Sequence, residues 1–282
     1  MNELSIMRTH KLFIGGAFPR SESGRTFELK SPKGTFIANI AKASKKDARD
    51  AVLAARSGFE KWSTTTAYNR GQVLYRVAEI MQGRKKQFVD ELVSLGLSSR
   101  DAEKEVQSSI DRWVWFAGWS DKLAMVNGSA NPVAGNFFNF SVPEPTGIVA
   151  IIPATKPALY SLVEAVAAAI VSGNTCLVLA PKNSALVAVS LAESLATSDV
   201  PAGVVNILTC DIAEVAPHVA SHSDVNAIDL SGVASQELAL ELERAAAENL
   251  KRVLRPEKNQ VTGLNRIKFW LETKTVWHPR GY

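Results

Sequence analysis

Two cysteines and four histidines are the chain's readiest nucleophiles, bases and metal ligands. Cys176 and Cys210 sit in apolar, β-branched runs (Thr175-Cys-Leu-Val178 and Ile207-Leu-Thr-Cys210), which predicts reduced thiols behaving as small hydrophobes. Two are too few for a disulfide framework. His218 and His222 have the i,i+4 spacing that places two ligands on one helix face, but only Asp224 accompanies them, so a structural role is expected and no metal site. Trp113, Trp115, Phe116 and Trp119 could form a stacking platform, yet their helical spacing predicts a helix core. From Arg244 to Tyr282 nine basic residues face three acidic ones, a candidate electrostatic footprint for nucleic acid. Trp270, Leu271, Val276 and Trp277 interrupt that run, so a solvated helix face is the expectation. No G-x-S-x-G, G-x-G-x-x-G or Walker A pattern occurs.

The elements that must position these residues follow from patterning. The 282 residues, 46% hydrophobic and 21% charged, supply a sizeable core, which excludes disordered, collagen-like and disulfide-scaffold classes. A formal net charge of +4 is too small to imply a nucleic-acid protein. Lys11–Phe18 reads as two short strands about Gly15-Gly16, Ser31-Pro-Lys-Gly34 as a turn, and Thr35–Ile40 as a strand. Ser44 and Asp47 form a capping-box pair ahead of a helix carrying Ala48, Val52, Ala55 and Phe59. Helical spacing predicts one helix from Ala67 to Leu95 and another from Arg100 to Leu123. Phe137–Val142 alternates like a strand.

A regular rhythm then begins. Apolar strands at 147–152, 175–179, 204–208 and 225–230 alternate with helices at 158–172, 184–197 and 212–221. Apolar runs of strand length between helices argue for a parallel sheet covered on both faces, an α/β mononucleotide-binding architecture. Met1–Arg8 lacks an apolar signal region, and no window of about eighteen apolar residues offers a membrane span.

Several segments resemble the N-terminal half of aldehyde dehydrogenases: Phe13-Ile-Gly-Gly-Ala-Phe18, Phe116-Ala-Gly-Trp119, Glu144-Pro-Thr-Gly-Ile-Val149, Ser172-Gly-Asn-Thr175 and Pro201-Ala-Gly-Val-Val-Asn-Ile-Leu208. The similarity runs from about residue 11 to 253 and resumes near 263, where Asn265–Trp277 looks like that family's last helix and C-terminal oligomerisation strand. It implies a Rossmann-like, NAD-binding-type domain over 1–125 and 146–260, with oligomerisation strands at 126–145 and 263–282 forming a small second sheet. The jump from Val253 to Gly263 leaves no room for the family's catalytic domain, and the nucleophilic cysteine has no counterpart. In this respect the chain resembles the degenerate C-terminal half of family-16 aldehyde dehydrogenases.

Other positions depart from the family pattern. Thr155, in Pro153-Ala-Thr-Lys-Pro157, stands where the resemblance expects the asparagine that holds the oxyanion, a donor worth about 3–4 kcal/mol. The general-base glutamate falls on Pro256, which cannot titrate, with Glu257 adjacent. The resemblance puts Ile152, Pro153, Ala180, Lys182, Ser231 and Gly232 beside the cofactor, but Ala180 replaces a lysine and Asn183 a glutamate, while Val233 and Glu237 alter the pyrophosphate loop. A glutamate near a helix N-terminus opposes phosphate there. The expectation is therefore no tightly bound cofactor and only weak NAD(P) binding. The implied role is a cytoplasmic, non-catalytic subunit that pairs with a full-length aldehyde dehydrogenase through strands 271–277 and 137–142, without nucleic acid or membrane; the alternative is an oxidoreductase with residual NAD(P) binding.

Overall fold

A computed structural model of the chain describes residues 9–256 and 261–281. Glu257, weighed above, lies outside the described residues, as do Lys258 (one of the nine basic residues of the tail), Met1–Arg8 and Tyr282. In chain order the elements are β1 (Thr9–His10), β2 (Thr26–Lys30), β3 (Phe36–Ala41), α1 (Lys45–Thr64), α2 (Ala67–Gly83), α3 (Lys85–Ser94), α4 (Ser99–Trp119) and α5 (Leu123–Asn127). β4 (Ser129–Asn131), β5 (Phe137–Pro145), β6 (Ile148–Ile151), α6 (Ala158–Val171), β7 (Thr175–Ala180), α7 (Ala185–Ala196) and β8 (Val205–Thr209) follow. α8 (Ile212–Ser221), β9 (Ala227–Asp229), α9 (Gln236–Ala247), β10 (Arg252–Leu254), α10 (Gly263–Phe269) and β11 (Leu271–Pro279) complete the described chain.

The central sheet has five parallel strands in the order β10-β9-β6-β7-β8. Every residue of β6 and β7 is buried, because side chains alternate between two covered faces. Val149, Ile151, Cys176 and Val178 pack toward α2, α4 and α6, whereas Ile148, Ala150, Leu177 and Leu179 pack toward α1, α8 and α9. The apolar helix α6 is buried almost all round, each large side chain contributing roughly 1.5–3 kcal/mol. Ser44 caps α1 with Asp47 in the reciprocal box, its backbone N–H donating to Asp47 Oδ2 at 2.8 Å. Two three-stranded sheets flank this body, β1-β3-β2 near the start of the chain and β11-β5-β4 near its end. β11 pairs antiparallel with β5 from Leu271↔Pro145 to Pro279↔Phe137.

Four expectations need correction. Lys11–Phe18 makes no strand pair; Ile14 and Ala17 bridge across the positive-φ pair Gly15-Gly16, and Phe13 bridges to Ile207 of β8. The helix expected over 67–95 breaks at Arg84, which closes α2 and opens α3. The sheet gains a fifth strand, β10, that patterning did not mark. The basic tail is no single solvated helix face: it divides among α9, β10, α10 and β11, with Lys251 and Arg266 buried. The tryptophan-rich helix meets its expectation, with Trp113 and Phe116 fully buried.

Candidate functional site

The strand order reverses between β6 and β9, and an open parallel sheet of this kind presents its ligand crevice there, outside the carboxyl ends of the strands. Ile152 and Pro153 leave β6 at that point, and Ser231 and Gly232 leave β9 beside them. The two loops are stitched together. Ile152 N–H donates to the Asp229 carbonyl at 2.9 Å, and Gly232 N–H donates to the Ile152 carbonyl at 2.8 Å. A Cβ on Gly232 would lie 2.0 Å from the Pro153 carbonyl oxygen, so only glycine permits this approach.

The chain's own tail reaches the same place. Arg266, from α10, pairs with the fully buried Asp229 carboxylate at the end of β9. Its guanidinium also donates to Ser231 Oγ at 3.3 Å and to the Val261 carbonyl at 3.2 Å. Ser231 N–H returns a bond to Asp229 Oδ1 at 2.9 Å. A second buried ion pair fixes the start of α10: Glu164 of α6 engages Arg112 and accepts the Gly263 N–H at 2.7 Å. Arg112 in turn lies over the Trp115 ring at 4.2 Å.

The remaining positions divide. Ala180 ends β7 wholly buried, its carbonyl accepting the Cys210 N–H at 3.0 Å, and offers a ligand no polar side chain. Lys182 is directed toward the Phe27 ring at 5.7 Å. Thr155 lines a groove of ≈ 700 Å³ with Lys156, Pro157, Asn183 and Glu105, and Pro256 lies exposed beyond β10. So the fold joins Ile152, Pro153, Ser231 and Gly232, while Thr155 stands in a separate groove and Lys182 turns to another sheet.

Two carboxylates sit at helix N-termini at this end of the sheet. Glu105 of α4 accepts the Leu159 N–H at 2.7 Å and the Tyr160 N–H at 3.4 Å, placing a carboxylate on the free amides that open α6. Burial raises the Glu105 carboxyl above its ordinary value, and the two amides oppose that rise. Glu237 occupies the first turn of α9, whose cap is Ser235. Neither cysteine is poised for chemistry: both are buried, and desolvation pushes both thiols well above their ordinary range. His222 Nδ1 accepts the Asp224 N–H at 3.2 Å, and no cluster able to hold a metal occurs among the described residues. No helix there is long and apolar enough to cross a membrane.

Sequence reasoning missed Asp229, Arg266, Glu164 and Glu105. Two of them carried a signal: Asp229 interrupts an apolar strand and Glu164 an apolar helix, and a buried carboxylate demands a partner.

Comparison with known proteins agrees with this geometry. The putative aldehyde dehydrogenase DhaS of Bacillus subtilis is 30% identical over 257 residues, covering 89% of this chain and 51% of that protein. The cytosolic 10-formyltetrahydrofolate dehydrogenase of Pongo abelii is 30% identical over 263 residues, 90% of this chain and 29% of that protein. Thus the chain spans about half the length of the first of these relatives and less of the second. Among solved structures, PnpE in complex with nicotinamide adenine dinucleotide is similar at a TM-score of 0.81 and 29% identity, over 86% of this chain and 50% of that one. A Burkholderia cenocepacia putative aldehyde dehydrogenase matches at 0.81 and 30%, with the same coverage. The family model for aldehyde dehydrogenases matches residues 18–255, from just ahead of β2 to just past β10, and on that match the chain belongs to the aldehyde dehydrogenase family.

Proposed function

We propose that this chain is a non-catalytic, aldehyde-dehydrogenase-type subunit that assembles with a full-length NAD(P)-dependent aldehyde dehydrogenase. The observation that carries the reading is the Arg266–Asp229 pair: the chain's own tail is anchored at the sheet end where this architecture seats a dinucleotide. The inert thiols support it, since aldehyde oxidation through a covalent intermediate needs an accessible thiolate. Thr155 and Pro256 add to it, neither supplying the amide donor or titrating carboxylate that the family pattern expects.

Assembly is argued from the β11-β5-β4 sheet. β11 is nine residues long and forms one edge of that sheet. Phe137 and Trp277, packed edge to face at 5.7 Å, are 41% and 57% exposed on it. A long edge strand with exposed aromatics invites pairing with a further strand, and a partner's sheet would satisfy it by β-augmentation.

The experiment is affinity purification of the tagged chain from its native host, with mass spectrometry of what accompanies it. An aldehyde dehydrogenase should co-purify, and the Phe137→Glu/Trp277→Glu double variant, altered only at exposed positions, should lose it. A monodisperse homodimer without such a partner would refute the reading. The alternative, an oxidoreductase that retains cofactor binding, draws on the similarity to NAD-bound PnpE. Fluorescence titration of the isolated chain with NADH and NADPH separates the two: saturable binding together with aldehyde-dependent NADH formation would establish the alternative.

A further inference from the structure

We propose that a pocket at the carboxyl end of β3, lined by none of the crevice residues described above, binds a small phosphorylated molecule through its phosphate monoester. β1 and β2 flank β3 on either side, and the residues at this end of the sheet line a cavity of ≈ 460 Å³, a volume suited to a sugar-phosphate-sized ligand. Three cations, Lys11, Arg20 and Arg25, line it, and no carboxylate does.

Among the described residues this charge is only partly compensated. Among the described residues neither Lys11 nor Arg20 has an ion-pair partner. Arg25 shares Glu214 with Lys42, at 2.7 and 2.8 Å, so one carboxylate answers two cations. Asp47, the acid just behind the pocket wall, pairs with none of the three cations: it accepts from the Ser21 hydroxyl at 2.7 Å, the Ser44 N–H at 2.8 Å and the Glu22 N–H at 3.1 Å. Glu22 is likewise paired with Lys46 at 3.3 Å. A phosphate monoester carries about −1.5 to −2 charges near neutral pH, which matches the surplus better than a singly charged carboxylate.

The wall has room for that group. Gly24 closes the Ser21–Gly24 turn at φ +66°, with nothing within 4 Å of where a Cβ would sit, and Thr26 offers a hydroxyl that has no side-chain partner among the described residues. Guanidinium forks engage phosphate oxygens in pairs, and the ammonium of Lys11 adds a mobile donor. The cations surround a concavity rather than tracking along a stripe, and no aromatic ring lines it for base stacking, so a small ligand fits better than a nucleic-acid strand.

The test is calorimetric titration of the full chain with inorganic phosphate, glucose 6-phosphate, glucose and a single-stranded oligonucleotide, repeated on Lys11→Ala/Arg20→Ala. Because neither side chain has an ion-pair partner among the described residues, the variant should keep the wild-type melting temperature. Glucose 6-phosphate should bind saturably at millimolar concentration or below, glucose should not, and the double substitution should weaken binding at least about tenfold. Added salt should weaken it as well. The proposal is overturned by the absence of saturable glucose 6-phosphate binding up to about 10 mM, by equal binding in the variant, or by binding of the oligonucleotide alone.

Discussion

Arg266 is where removal of one side chain should have a large, measurable effect. In Arg266→Met the Asp229 carboxylate stays in place, fully buried, with the Ser231 N–H at 2.9 Å as its remaining partner among the described residues. Truncating one member of a buried ion pair strands the other charge, a loss of about 3–5 kcal/mol. That is a large part of the roughly 5–15 kcal/mol that keeps a domain folded. With a urea m-value of about 1–3 kcal/mol per molar, the unfolding midpoint should fall by roughly 1 M or more. The companion variant, Asp229→Asn/Arg266→Met, removes both charges together. It should recover much of the loss, because Arg266 Nε is already buried without a hydrogen-bond partner and the native pair is imperfectly satisfied. Urea unfolding followed by circular dichroism, with both singles and the double, closes a thermodynamic cycle. A single-variant loss below about 0.5 kcal/mol, or strictly additive effects, would refute the claim that the tail is latched through this pair.

Two further outcomes follow from the same structure. Gly232→Ala sets a methyl group 2.0 Å from the Pro153 oxygen and 2.7 Å from the Ile152 oxygen, so the β6 and β9 loops must part; a loss of about 1–3 kcal/mol in urea unfolding is expected, and a neutral substitution would show that the contact is soft. Glu91, between α3 and α7, has its carboxyl raised chiefly by burial, against bonds from Ser190 and Gln87. The folded state therefore favours the protonated acid: this contribution is present below the ordinary value of 4.5 and is lost as pH climbs through the raised folded value. Glu91→Gln cannot titrate, so its stability relative to the parent should improve as pH rises from 4.5 toward neutrality, and a flat or opposite difference would sink the assignment.

The elements legible in the sequence were those whose burial is two-sided. β6, β7 and β8 lie inside the sheet or against it, so both of their faces must be apolar, and a run such as Thr175-Cys-Leu-Val-Leu179 admits few other readings. β10 was illegible because Lys251-Arg252-Val253-Leu254 has no such run; it is a strand only because β9 pairs with it, from Arg252↔Ala227 to Leu254↔Asp229. The latch was half legible. Asp229 in an apolar strand announces a missing partner, but Arg266 is one cation in a basic run, and composition cannot separate a buried cation from a solvated one.

That run acquires its meaning from position. Arg252 donates to the Phe269 and Leu271 carbonyls at 2.9 and 2.8 Å and pairs with Glu272 at 2.7 Å, tying β10 to the start of β11. Lys274 pairs with Glu144 across β11 and β5 at 2.9 Å. Cations that look like a nucleic-acid footprint in one dimension thus spend themselves on holding the tail against the body. That same tail is anchored at the carboxyl end of β9, through Arg266. A variant that frees α10 from Asp229 would therefore alter two things at once, access to the crevice and the seating of β11, so any assay of cofactor binding by such a variant must follow the β11-β5-β4 sheet alongside it.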